Sequence, residues 1–195
     1  MTKRIILAGV LGAIAMFIWT AIAHMVTPLG EAGIGEIPNE EAVLAAMRSN
    51  IDAKTGLYMF PGMGLGPDAT HAQQSEAMKG YEAKLEKNPS GLLLYHPAGS
   101  RTMNMPKYLT IEFITQLLEG LLVVALLAQT RIVTFGGRVA FVTVAGIFAA
   151  ITTNVSYWNW WGFPATYTAS YMFIQIVGFF VLGLVAAFIF KKSDA

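Results

Sequence analysis

Glu112, Gln116 and Glu119 stand four and then three residues apart, a spacing that puts all three on one face of a helix. They lie within an apolar stretch long enough to cross a membrane. An ionisable group there costs about 2.5–3.5 kcal/mol at mid-span and is read first as functional. His24 closes another apolar stretch, Asn154 sits in a third, and Tyr171 and Gln175 in a fourth. Several chemistries follow from these types. Glu119, near mid-span, could relay a proton or meet a cationic substrate. Glu112 and His24 could act as an acid–base pair or hold a divalent metal, and His24 could ligate a haem or chlorin from one side. A closed metal site needs more ligands than that pair, so His71 or His96 would have to join it, and no second histidine lies at matching depth. No metal site is therefore assigned and no cofactor specified. The plainer expectation is that these side chains bond one another across helices, at about 0.6–2 kcal/mol each.

The elements that must carry these residues are membrane spans. Of the 195 residues 55% are hydrophobic and 13% charged, about half the charge of an ordinary soluble domain. Mean hydropathy is +0.54. The chain has no cysteine, which excludes disulfides and thiolate metal sites, and its net charge of +1 gives no footing for nucleic acid. About 20 apolar residues cross a bilayer, and four stretches suffice: Ile5 to Val26, Tyr108 to Gln129, Val139 to Tyr157 and Thr166 to Phe190. Between Arg138 and Lys191 no Asp, Glu, Lys, Arg or His occurs. That stretch is too long for one span, and Gly162 with Pro164 marks the turn of a helical hairpin.

Basic residues orient the spans. Lys3/Arg4, Arg131/Arg138 and Lys191/Lys192 fall on one side of a four-span chain, which the positive-inside rule makes cytoplasmic. Both termini are then inside, and residues 27–107 are outside. Trp158, Trp160 and Trp161, with Tyr157, Phe163, Tyr167 and Tyr171, make an aromatic anchor at the outer interface. Lys3 and Arg4 before an apolar run ending in Ala21-Ile22-Ala23 also suit a signal peptide. The run is long for one, so a retained helix is expected.

The loop holds seven of the eight prolines and two of the three histidines. Pro38 and Asn39 open a short helix with Val43, Leu44, Met47 and Ile51 on one face. Asp68 or Thr70 caps a second, ending near Asn88-Pro89, with Met78, Tyr81 and Leu85 as its apolar stripe. Gly56–Gly62 and Gly91–Pro97 read as apolar strips. Together they predict a helical cap packed on the bundle. Counting depth at 1.5 Å per residue places His24, Glu112, Asn154 and Tyr171 in one outer layer. Gln116 and Gln175 come one turn deeper, and Glu119 deeper still.

No Walker loop, GxGxxG, HExxH or GxSxG is present, and Gly62–Gly66 lacks the Lys-Ser/Thr of a phosphate cradle. PLGEAGI (Pro28–Ile34), PNEEAVLAAM (Pro38–Met47), GLYMFPG (Gly56–Gly62), GLLLYHP (Gly91–Pro97) and the stretch from Gln129 to Met172 resemble a group of bacterial membrane proteins with no assigned function. The resemblance implies a four-helix inner-membrane protein and carries no activity to any residue.

The expected architecture is all-α: a bundle of four transmembrane helices (1–26 and 108–195) with a helical cap (27–107) between the first two. The function expected first is an accessory or structural subunit of a larger membrane complex, in contact with lipid and with other membrane subunits. Second is a carrier or binding protein for a lipid, quinone or cation. Third is an intramembrane enzyme using Glu112 and His24.

Overall fold

The computed structural model describes residues 2–51 and 53–191. In chain order they form α1 (Thr2–Met25), a 3-10 turn (Pro28–Glu31), α2 (Glu40–Asn50), β1 (Gly56–Phe60), α3 (His71–Lys87), β2 (Gly91–Tyr95), α4 (Met105–Ala128), α5 (Phe135–Trp161) and α6 (Ala165–Lys191). The apolar runs predict α1, α4, α5 and α6, and these four are long and apolar enough to cross a membrane. α4 and α5 begin before their apolar stretches because their caps lie beyond them. Asn104 Oδ1 accepts from the Lys107 amide (3.1 Å), and Thr134 Oγ1 from that of Gly137 (3.2 Å). At the far end of α5, Gly162 closes the helix in the left-handed conformation (φ 68°), returning its amide to Tyr157 O. Pro164 stands just before α6, and its carbonyl accepts from the Thr168 amide (3.0 Å).

The chain divides into two compact units, Met1–Gly35 with Asn104–Ala195, and Glu36–Met103. In the first, α5 packs along α6, α6 along α1, and α1 along α4, while α4 and α5 meet only slightly. Glycines set the closest approaches. A Cβ on Gly120 would lie 2.9 Å from Gly9 O, and one on Gly9 3.0 Å from Leu121 Cα. So α1 and α4 touch backbone to backbone, which small residues permit in membranes. The core, with Ala8, Val124, Val142, Leu182 and Ala186, fills the end that bears Arg4 and Arg138.

The loop expected over 27–107 is not uniform. Residues 27–35 belong to the bundle unit: Ser170 Oγ of α6 donates to Leu29 O (2.8 Å), tying the 3-10 turn to the bundle. In the second unit the two apolar strips pair as an antiparallel ribbon, Gly56 opposite Tyr95 through Phe60 opposite Gly91. Alternation alone does not reveal this, because the partner strand lies beyond α3. Thr70 is the cap of α3, in a reciprocal capping box with Gln73. Lys84 Nζ ties α3 back to Gly62 O.

Candidate functional site

The polar side chains predicted inside the spans fall into three groups. The first joins α1 to α4. Gln116 is 3% exposed, and its Nε2 donates to Thr20 Oγ1 (3.1 Å) and Glu112 Oε1 (2.8 Å). Thr20 donates to Met16 O in its own helix (3.1 Å), so the chain of bonds runs from a carboxylate through an amide to a helix carbonyl. Gln116 Oε1 is buried and accepts no hydrogen bond. Glu119, half-buried on the same face of α4, makes no hydrogen bond or ion pair among the described residues.

The second group joins α5 to α6: Asn154 Nδ2 donates to Gln175 Oε1 (3.4 Å) and to Ala150 O (3.0 Å). Depth counting set these two residues a turn apart, and they touch. The third joins α1 to α6 and is aromatic. The His24 ring meets the Tyr171 ring edge-on at 5.6 Å. Tyr171 stacks on Tyr167 at 4.3 Å, Tyr167 meets Phe163 at 5.4 Å, and Phe163 meets Tyr157 at 5.4 Å. His24 thus ends an aromatic ladder, and it forms no ion pair with Glu112.

A single layer converging on one interior is therefore replaced by pairwise contacts. The physical reason is helix order. With α1 and α6 between α4 and α5, the seams at equal depth face different neighbours. Among the described residues no group of three His, Asp or Glu is placed to hold a metal.

Trp158, Trp160 and Trp161 are all exposed, Trp160 most of all at 78%. They stand in the last turn of α5, where a span's indoles meet the lipid interface. Two contacts were missed from sequence. Trp19 Nε1 donates to Ile174 O (2.9 Å), and Ser170 holds the turn after α1. The signal for Trp19 was an indole inside a span, whose N–H needs an acceptor there.

Four apolar spans, lipid-facing outer surfaces and polar groups bonded between helices define an all-α, multi-pass membrane protein. No known protein family, curated protein or solved structure matches the chain.

Proposed function

We propose that this protein is a non-catalytic accessory or structural subunit of a larger complex in the bacterial cytoplasmic membrane, with both termini inside and residues 27–107 in the periplasm. The observation that carries the reading is the pairwise bonding of the intramembrane polar groups. Gln116 is committed to Thr20 and Glu112, and Asn154 to Gln175, so these side chains hold helices together rather than converge on a substrate. The ribbon supports the subunit part of the proposal. Leu57 and Leu94 lie directly opposite each other and are 60% and 62% exposed, an apolar pair of the kind that marks a contact surface.

Affinity purification from native membranes tests this reading. Leu57→Arg with Leu94→Arg is expected to release the partner subunit while the protein still accumulates in the membrane, and Glu119→Gln is expected to keep it bound. Release by Glu119→Gln and retention by the ribbon variant would contradict the proposal.

One observation favours a second reading, a binding protein for a cation. Gln116 Oε1 has an unused lone pair on the helix face that carries the Glu112 and Glu119 carboxylates. A cation or a protonated amine is the ligand these acceptors suit. Loss of cation binding in Glu119→Gln with assembly intact would support that reading over the first.

A further inference from the structure

An open groove of about 680 Å³ in the second unit is lined by α3 and by the end of β1 with the turn that follows it. Three separate elements bring sulfur to it: Met59 comes from β1, Met63 from the turn and Met78 from α3. His71, Gln74, Ser75 and Met78 recur at helical spacing, so one face of α3 forms a wall. The turn is tied to that helix, since Lys84 Nζ donates to Gly62 O, next to Met63. Met59 is 46% exposed and Met78 57%, so neither fills a core.

We propose that this groove binds a soft monovalent metal ion, Cu(I), through the thioether sulfurs of Met59, Met63 and Met78. Donor softness decides the class of ligand. Thioethers select Cu(I), whereas carboxylate, carbonyl and water suit Mg, Ca or Mn. Zinc is held by thiolate, imidazole or carboxylate. The chain has no cysteine, and no Asp or Glu is among the groove's described lining residues. Methionine also suits the task mechanically, because its rotatable bonds let each sulfur swing onto an ion without moving the backbone. Core packing does not explain the exposed pair, since a core methionine is covered. His71 stands two turns from Met78, about 10 Å along the axis, so sulfur forms the centre of the site and the imidazole lies at the other end of the wall. The inference stands apart from the subunit proposal and uses none of its residues.

Anaerobic competition between the full chain in mild detergent and a chromophoric Cu(I) chelator tests it, with Cu(I) and Zn(II) as separate probes. The wild type is expected to take Cu(I) from the chelator, one ion per chain, and to prefer it to Zn(II). Leucine is close to methionine in volume and costs little in packing, so Met→Leu variants remove the sulfur and keep the fold. Met63→Leu and Met78→Leu are each expected to weaken Cu(I) binding about tenfold or more, at least the loss that follows removal of a ligand's supporting partner. Met103→Leu, outside the groove, is expected to bind as the wild type does. No uptake of Cu(I) by the wild type would overturn the proposal. So would unchanged affinity in the Met59→Leu/Met63→Leu/Met78→Leu triple variant, or Zn(II) bound as tightly as Cu(I). An equal loss in Met103→Leu would also overturn it, by placing the ion outside the groove.

Discussion

His24 meets Tyr171 edge-on at 5.6 Å, and that contact joins the end of α1 to a ladder of rings running back to the α5–α6 turn. An imidazole expected in a polar site instead closes an aromatic stack. Aromatic pairs contribute about 0.5–1.5 kcal/mol each beyond burial. Tyr171→Leu removes contacts on both sides, to Tyr167 and to His24, and should lower the thermal midpoint in detergent. Tyr171→Phe keeps the rings and loses the hydroxyl's long contact to Gly30 O (3.5 Å) and its hydrogen bond with Tyr167, so its midpoint should fall less than that of Tyr171→Leu. Equal losses in the two variants would show that the hydroxyl, not the ring, is what matters.

The Thr20–Gln116 bond supports a second expectation. A double-mutant cycle with Thr20→Val and Gln116→Leu, read by unfolding in mixed micelles, should give a coupling of about 0.6–1.7 kcal/mol. Strict additivity would mean that the bond adds nothing to the α1–α4 contact.

Backbone proximity makes the sharpest steric case. A Cβ on Gly120 would lie 2.9 Å from Gly9 O, and neither backbone has a flexible end to move aside. Gly120→Val should destabilise the bundle by about 1–3 kcal/mol and reduce the folded fraction recovered from membranes. The same substitution at Gly136, which has open space around its Cβ position, is the control for helix propensity alone.

In the second unit, the capping box of α3 is testable without disturbing the bundle. Thr70→Ala removes the acceptor for the Gln73 amide at a cost of about 1 kcal/mol. Hydrogen exchange should then quicken in the first turn of α3, with no change in the four long helices.

Much of this architecture was legible because its signals are local. The uncharged stretch after Arg138 required two spans, Gly162 and Pro164 punctuated them, and Asp68 or Thr70 announced a capped helix, of which the structure uses Thr70. Periodicity turned Gln116, Asn154 and Gln175 toward other helices, where each bonds a neighbour, whereas Glu112, expected on the same inward face as Gln116, is exposed. Helix order was not legible. Depth is a count along one helix, whereas adjacency depends on which grooves receive Gly9, Gly120 and Gly146, and nothing local records that. For the same reason the pairing of Gly56–Phe60 with Gly91–Tyr95 was hidden. Each strip shows an extended apolar run, but its partner lies on the other side of α3.

The subunit proposal is the central claim, and native mass spectrometry of the protein extracted gently from its own membranes tests it most directly. The account predicts one defined assembly whose mass is not a whole multiple of this 21.1 kDa chain, carrying partner subunits in fixed ratio. A monomer or homo-oligomer alone, under conditions that keep other membrane complexes whole, would contradict it.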